Sequence, residues 1–167
     1  MGPIDPAQSR HLAAGHGRRL RVITDVVTVK ATPAETGDAY ALYEVETPPS
    51  GGTPPHIQRY DDETCYVLDG RYTFLVGDEQ IDLLPGDYVF VPRGTPHAFV
   101  NAGPTTARML VLVTPGNIQG AFFDEVGTPA SRPAWEPDME RVLAIAPKYG
   151  IAFQAPAPGE EVVPAEW

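Results

Sequence analysis

Turn residues recur at short intervals along the middle of this chain, and they limit what it can fold into. Asp-Gly at 69–70, Pro-Gly at 85–86 and Pro-Arg-Gly at 92–94 separate short segments rich in β-branched and aromatic residues. This spacing is typical of strands joined by tight turns and leaves little room for long helices. With 19 prolines and 16 glycines in 167 residues, the chain is predicted to be all-β, as a closed barrel or a jelly roll.

The segment 63–77, ETCYVLDGRYTFLVG, has the pattern of a β-hairpin. Asp-Gly at 69–70 suits the positive φ angles of a two-residue type I′ turn. The register that follows pairs Leu68 with Arg71, Val67 with Tyr72, and Cys65 with Phe74. Because side chains alternate between the two faces of a strand, one inward face is expected to carry Glu63, Cys65, Val67, Tyr72 and Phe74.

The rest of the chain divides into segments of different character. LRVITDVVTVKA at 20–31 and TGDAYALYEVETP at 36–48 are each interpreted as one strand, and ARMLVLVTPG at 107–116 as a buried strand. Beyond Pro115 apolar residues occur at helical spacing, and Gly127 and Gly150 suit helix ends. A single domain, 1–167, is predicted, with an N-terminal arm at 1–18, a barrel at 19–115, a helical extension at 116–150 and a Pro-rich acidic tail at 151–167.

Charge and cysteine content exclude several kinds of partner. Asp and Glu number 22 against 12 Lys and Arg, a net charge of −10, which disfavours nucleic acid and anionic membranes. No segment has the roughly 20 apolar residues that span a bilayer. Cys65 is the one cysteine, so a disulfide within the chain is impossible and a reducing compartment fits. A cytoplasmic location is expected, since the N-terminal residues lack an apolar run.

Four polar side chains are candidates for a shared site inside the barrel. His56 and Gln58 are two residues apart and point the same way on a strand. Glu63 follows a short acidic turn. It lies two residues before Cys65, so both side chains are expected to point to the same inward face. His97 lies on a later strand, which a barrel can bring alongside. The neighbouring Asp-Asp at 61–62 is interpreted as an exposed turn.

These residues lie within two stretches that resemble the two motifs of the cupin superfamily. The first reads Gly51 or Gly52, His56, Gln58, Glu63 and Gly70, and the second reads Gly86, Pro92, Gly94, His97 and Asn101. The resemblance implies a small double-sheet β-barrel that binds one divalent metal. Carried over, the ligands are His56, Gln58, Glu63 and His97. The first motif departs from the family at Gln58, where a second histidine is usual.

Gln58 leaves two possibilities open for the metal site. Its amide oxygen is a neutral and weaker ligand than imidazole, so metal affinity is expected to fall. Alternatively, Gln58 forms a hydrogen bond beside a metal held by His56, Glu63 and His97. Two histidines and one carboxylate suit Fe(II) or Mn(II), although nickel, cobalt and zinc also remain candidates.

Within cupins, the segment 56–78 and the C-terminal KYGIAFQAPAP are similar to single-domain quercetinase-like proteins. The resemblance implies a dioxygenase acting on a small aromatic or enolic compound, with Glu63 as a base whose pKa the pocket would have to raise. A non-oxidative isomerase or cyclase, and a binding protein without turnover, are the alternatives. The substrate pocket is predicted to be lined by Cys65, Val67, Tyr72, Phe74 and Phe99.

A homodimer is the expected assembly. The resemblance implies pairing, which is common among cupins. The N-terminal arm and the strand LRVITDVVTV could join the partner's sheet and so cover an exposed edge.

Overall fold

Two antiparallel sheets face each other in the computed structural model, which describes residues 9–132 and 136–154. The strand order of the larger sheet is β11 (Thr128–Pro129), β1 (Arg18–Val22), β2 (Asp25–Ala31), β3 (Ala41–Thr47), β10 (Ala107–Thr114), β5 (Asp62–Asp69) and β8 (Tyr88–Val91). The order of the smaller sheet is β12 (Ile151–Phe153), β4 (Gly52–Gln58), β9 (His97–Asn101), β6 (Tyr72–Val76) and β7 (Glu79–Leu83). The all-β jelly-roll prediction is confirmed.

The core lies between the inner faces of the two sheets. On β3 every second residue is buried, from Ala41 to Thr47. On β10 the same alternation buries Ala107, Met109, Val111 and Val113. The period of two places one apolar face of each strand against the opposite sheet, and this burial is the main source of stability for such a sandwich.

The segment 20–31 forms two strands instead of the one predicted. A tight turn at Ile23 and Thr24 reverses the chain, and β1 then pairs with β2 with Val22 opposite Asp25. Ile23 has a φ of 55°, a region that β-branched residues rarely adopt. The Thr24 hydroxyl accepts a 2.7 Å hydrogen bond from the Gly52 backbone amide, so a contact with β4 holds the turn. Local propensity alone did not indicate this reversal.

The predicted hairpin of β5 and β6 is also wrong. β5 pairs with β10 and β8, whereas β6 pairs with β7 and β9 in the other sheet. A type I′ turn needs positive φ at both central residues, but of this pair only Gly70 has one, at 80°. A Cβ on Gly70 would lie 2.5 Å from the Cβ of Ala107. The connection is therefore a corner that crosses the end of β10 and enters the opposite sheet.

The C-terminal part combines helices with two short strands. Its helices are α2 (Asn117–Val126) and α3 (Met139–Ile145), followed by a 3₁₀ turn at Ala146–Tyr149. The remaining helix, α1 (Pro33–Thr36), lies near the start of the chain. β11 lies within the predicted helical extension, and β12 within the predicted tail. β12 pairs with β4, which places Ile151 opposite Gln58. Residues 1–8 of the predicted arm and 155–167 of the predicted tail lie outside the described residues.

No helix in the described ranges is long and apolar enough to cross a membrane.

Candidate functional site

The two histidines are neighbours across a pair of antiparallel strands. His56 on β4 lies directly opposite His97 on β9, and their ring centroids are 4.2 Å apart. Gln58 projects from the same side of β4, and Glu63 reaches the same place from β5 in the other sheet. All four side chains are at least 94% buried. We call His56, Gln58, Glu63 and His97 the motif cluster; the structure brings together all four residues that the sequence singled out.

Backbone contacts leave the Nε2 atoms of both histidines as acceptors. His56 Nδ1 donates to the Pro54 carbonyl at 3.0 Å, and His97 Nδ1 donates to the Thr95 carbonyl at 2.9 Å. A neutral imidazole that donates from Nδ1 keeps a lone pair on Nε2. Burial, and next the neighbouring His97, lowers the pKa of His56 to about 4. At neutral pH His56 is therefore uncharged, the form in which histidine binds metals.

Glu63 is a carboxylate held by several donors. Its Oε2 accepts a 2.8 Å hydrogen bond from Gln58 Nε2, and its Oε1 lies 3.4 Å from the Cys65 thiol and 4.0 Å from His97 Nε2. Burial by itself raises the pKa of Glu63, but the two histidines and the Gln58 hydrogen bond lower it further than burial raises it. The side chain is ionised at neutral pH. The raised pKa that a strong general base would need is not found.

Gln58 acts as a hydrogen-bond donor in this arrangement. Its Nε2 points at Glu63 and also lies 3.5 Å from His56 Nε2. Its Oε1 is buried and has no hydrogen-bond partner. The reverse orientation would place two acceptor oxygens against each other, so the ionised Glu63 selects this one. Of the two possibilities left open by the sequence, this geometry favours the hydrogen bond.

Helix α2 adds a fifth polar side chain to the four of the motif cluster, and the sequence analysis did not predict it. Gln119 is 7% exposed, its Nε2 lies 3.4 Å from Glu63 Oε2, and its Oε1 has no partner. A signal for it existed, because Gln119 shares the buried helix face with Phe122 and Val126. A glutamine on an otherwise apolar helical stripe is a candidate for a polar site.

The sequence-based interpretation of Asp61 is wrong. This residue was interpreted as part of an exposed turn, but it is 3% exposed. Its carboxylate accepts from the backbone amides of Gly116 at 3.1 Å and Gln119 at 3.0 Å. Asp61 therefore caps α2 from a distant part of the chain. Its neighbour Asp62 begins β5 instead of lying in a turn; it is half-buried and forms an ion pair with Arg93.

Three residues of the motif cluster, His56, Gln58 and Glu63, line a pocket between the sheets with a cavity volume of about 60 Å³. Much of its wall is apolar or aromatic, including Val22, Ile23, Tyr43, Phe99, Phe122 and Phe153. Its polar lining residues are Asp25, Thr53, His56, Gln58, Glu63 and Gln119. The volume holds only a few water molecules, so a substrate with several fused rings requires the aromatic rim to move.

Of the five residues predicted to line this pocket, the structure places Phe99 in its wall. The other four are fully buried core residues behind the wall: Cys65, Val67, Tyr72 and Phe74. They point inward as their phase required, but their neighbours fill the space in front of them. Burial, and then Glu63, raises the pKa of the Cys65 thiol, which fits a core residue better than a nucleophile.

Asp25 is an unpredicted carboxyl in the pocket wall. It is 4% exposed, and burial raises its pKa to about 7 against the lowering effect of hydrogen bonds from Thr47 and Thr24. Thr24 also contacts Gly52, at the start of β4, whereas His56 and Gln58 lie near the end of that strand. Thr53 and His56 are three residue steps apart along the strand, about 10 Å. The pocket thus has one polar end at Asp25 and another at the motif cluster.

The donor atoms of the cluster suit a divalent metal, although the ligands are not yet gathered around one point. Three buried acceptors or amide oxygens lack partners: Gln58 Oε1, His97 Nε2 and Gln119 Oε1. Within residues 9–132 and 136–154, no three His, Cys, Asp or Glu side chains form by themselves a group that could hold a metal ion. Imidazole nitrogens beside a carboxylate match Fe(II), Mn(II) and similar ions in kind.

Comparison with known proteins gives two curated relatives of interest. The chain is 29% identical over 118 residues to quercetin 2,3-dioxygenase of Bacillus subtilis, which is 71% of this chain and 34% of that protein. It is 27% identical over 85 residues to the tetracenomycin polyketide synthase protein TcmJ of Streptomyces glaucescens, 50% of this chain and 57% of that protein. The chain thus matches about a third of the first relative's length and rather more than half of the second's.

The fold and the family agree across the remaining comparisons. A predicted oxalate decarboxylase from Thermotoga maritima has a similar structure, with a TM-score of 0.57 at 16% identity over 60% of this chain and 94% of that one. The family model described as Cupin domain matches residues 43–113, a range that contains both motifs and the motif cluster. As the two motifs predicted, the chain belongs to the cupin superfamily.

Proposed function

We propose that this cupin binds one divalent transition metal ion and catalyses a dioxygenase-type reaction on a small aromatic or enolic compound. His56, Glu63 and His97 hold the ion, with iron, manganese, nickel, cobalt and zinc as candidates. One observation carries the proposal. An unpartnered, buried His97 Nε2 lies beside the ionised Glu63 and the neutral His56, and the latter two residues line an apolar pocket.

When bound, the metal supplies a Lewis acid for a substrate oxygen or for dioxygen. The chain's own residues prepare the site. The carbonyls of Pro54 and Thr95 fix the two imidazole rings, an outer contact typical of metal-binding histidines. Gln58 holds the carboxylate of Glu63 by its 2.8 Å hydrogen bond. Because Glu63 is ionised, it can also accept a substrate hydroxyl proton, although its lowered pKa makes it a weak base.

The pocket wall supports an aromatic or enolic substrate. Phe153 stacks on the His56 ring at a centroid distance of 5.5 Å, and Phe99 forms part of the wall. Flat apolar surfaces of this kind favour a flat, weakly polar compound and exclude water from the cluster. The likeness to quercetin 2,3-dioxygenase supports the same reaction type, while the small cavity favours a smaller substrate.

A non-oxidative metal-assisted reaction, an isomerisation or a cyclisation, is the second candidate. It requires only a Lewis acid beside an ionised carboxylate, which the metal and Glu63 would supply. Gln58, whose hydrogen bond holds that carboxylate, serves such a reaction equally well, because no change of metal oxidation state is involved. Oxygen consumption separates the two candidates, since the second reaction consumes none. The third hypothesis is a protein that binds the compound without changing it.

Metal analysis of the purified protein by plasma mass spectrometry is the first test. We expect near-stoichiometric metal in the native protein, loss of the metal in His97→Ala, and retention in His16→Ala, which changes an exposed histidine. Gln58→His should raise affinity by restoring the usual ligand. The native protein without metal, together with a full metal complement in Gln58→His, would indicate that the glutamine has disabled the metal site. The hypothesis of a non-catalytic binding protein would then replace the enzymatic one.

An oxygen electrode completes the test on the metal-loaded protein. Quercetin and smaller phenols and enols serve as substrates, with His97→Ala as the control. We expect oxygen uptake that requires His97. Substrate conversion without oxygen uptake would instead support the isomerase or cyclase hypothesis.

A further inference from the structure

Gln119 lies at the motif cluster although it comes from outside the barrel. It is the third residue of α2, 56 positions beyond Glu63. Its side chain is 7% exposed, lines the pocket, and has its amide nitrogen 3.4 Å from Glu63 Oε2. The amide oxygen is buried without a partner. A long polar side chain in this position costs free energy unless its oxygen acquires a partner.

The backbone fixes where Gln119 can reach. Asp61 accepts from the amides of Gly116 and Gln119, so the first turn of α2 is tied to the segment just before β5. Gly116 has a φ of 82°, and a Cβ there would lie 2.7 Å from Ala41. The entry of the chain into α2 is thus packed against the sheet. The backbone of Gln119 is therefore held in place, and its side chain reaches Glu63 from that position.

Two glutamine amides point at the same carboxylate oxygen. Gln58 and Gln119 both direct Nε2 at Glu63 Oε2, at 2.8 Å and 3.4 Å. Both amide oxygens, and likewise Nε2 of His97, are buried without a partner. A cation held at Glu63 would give such an oxygen a partner. The described His, Cys, Asp and Glu side chains do not by themselves form a metal-holding group, and an amide oxygen is a ligand of another type that could add to them.

We propose that Gln119 is a ligand of the metal site, supplied by helix α2 and lying outside the two barrel motifs. This inference rests on the metal site of the proposed function. Half a turn of the amide about its last bond exchanges nitrogen for oxygen and brings Oε1 next to Glu63 Oε2. Two oxygens bound to one ion at right angles are about 3 Å apart, given bond lengths near 2.1 Å. The present 3.4 Å separation requires only a small adjustment.

A consequence is that the metal links three elements of the fold. His56 and His97 belong to one sheet, Glu63 to the other, and Gln119 to α2. Metal binding should therefore tighten the docking of α2 on the barrel. Hydrogen exchange of the α2 backbone amides should slow when the ion binds, because local opening of the helix would require Gln119 to leave the ion.

The test is a titration of the metal-free protein with Mn(II), followed by calorimetry. We expect Gln119→Met, which keeps the length but removes the amide, to weaken Mn(II) binding at least tenfold. The matched control is Gln80→Met, the same change at an exposed position on β7, which should leave affinity unchanged. Gln119→Asn, whose oxygen is one methylene short, should also weaken binding and covers the case in which the methionine variant does not fold.

A crystal structure of the Mn(II)-loaded native protein distinguishes a ligand from a residue that only orients Glu63. A bond of about 2.2 Å between Mn(II) and Gln119 Oε1 supports the proposal. Gln119 still donating from Nε2 to Glu63 would overturn it. Binding that is lost in His97→Ala but unchanged in Gln119→Met would also overturn it and would leave the proposed function intact. No Mn(II) binding by the native protein, with any other divalent metal also absent, would overturn both.

Discussion

At the scale of single residues, Asp25 and His56 give the protein two buried groups with opposite pH behaviour. The folded pKa of Asp25, about 7, lies above its unfolded value near 3.9. Between these values the folded protein binds more protons, so Asp25 lowers stability as pH rises from about 4 to 7. The folded pKa of His56, about 4, lies below its unfolded value near 6.5. His56 therefore raises stability as pH rises over nearly the same range.

Replacing Asp25 should expose this balance. We expect Asp25→Asn to raise the free energy of unfolding by an amount that grows between pH 4 and pH 7, up to roughly 4 kcal/mol, because the asparagine never has to ionise in a buried place. Urea unfolding at pH 5 and pH 7.5 measures the difference. Asp78→Asn, at an exposed turn, is the control. An equal effect of Asp25→Asn at both pH values would contradict the burial of an ionisable carboxyl.

Gln58 shows how far a single residue could be interpreted from the sequence. The motif spacing placed it in the site, and residue chemistry allowed it either to bind the metal or to form a hydrogen bond. The choice between the two depends on the position of Glu63 Oε2, which β5 brings from the opposite sheet to 2.8 Å. That distance is set by the packing of the two sheets, and spacing along the chain does not contain it.

At the scale of elements, the attachment of α2 depends on a cap that is remote in sequence. Asp61 accepts from two backbone amides at the start of the helix, and both contacts are buried. Loss of such a cap leaves buried donors unpaired. Two adjacent aspartates with different surroundings offer a direct comparison, since Asp62 forms an exposed ion pair with Arg93.

We expect Asp61→Ala to lower the free energy of unfolding by about 2 kcal/mol and to speed hydrogen exchange of the Gly116 and Gln119 amides. Asp62→Ala should have a small effect, because exposed ion pairs contribute little. Urea unfolding and hydrogen exchange detected by NMR measure both variants. Equal losses in the two variants would contradict the assignment of Asp61 as the cap of α2.

The errors in the element predictions share one cause. The segment 63–77 has good hairpin chemistry, and 20–31 has good strand propensity, but propensity does not say which partner a strand takes. β5 pairs with β10 and β8 in the larger sheet, and the contact of Thr24 with Gly52 favours a turn within 20–31. Both outcomes depend on residues far away along the chain.

At the scale of the whole molecule, a homodimer remains a prediction. The strand expected to join a partner is a β1–β2 hairpin, and β2 is covered on both sides. The outer edge of β1 pairs with only two residues of β11, Thr128 and Pro129. The Arg19 carbonyl also accepts from the Ala130 amide, so little of this edge is left to accept a partner strand. Size-exclusion chromatography with light scattering should give twice the 18.0 kDa chain mass; a single-chain mass at micromolar concentration would contradict the prediction.

The sequence by itself determined the family, the all-β class, and the inward phase of His56, Gln58, Glu63 and His97. These follow from short-range spacing: the period of two along a strand, and turn residues whose conformational preferences are local. Residues such as Cys65 and Tyr72 were correctly placed inside, because phase alone decides which face of a strand they occupy.

Only the tertiary structure decided what surrounds those residues. It separated β5 from β6, put Cys65, Val67, Tyr72 and Phe74 behind the pocket wall, and brought Asp25, Asp61 and Gln119 to the site. Each of these results comes from contacts between distant segments, such as the 56 positions between Glu63 and Gln119. The physical reason is that burial and hydrogen bonding reward whichever groups the packed sheets and helix bring together, and no local pattern records that choice.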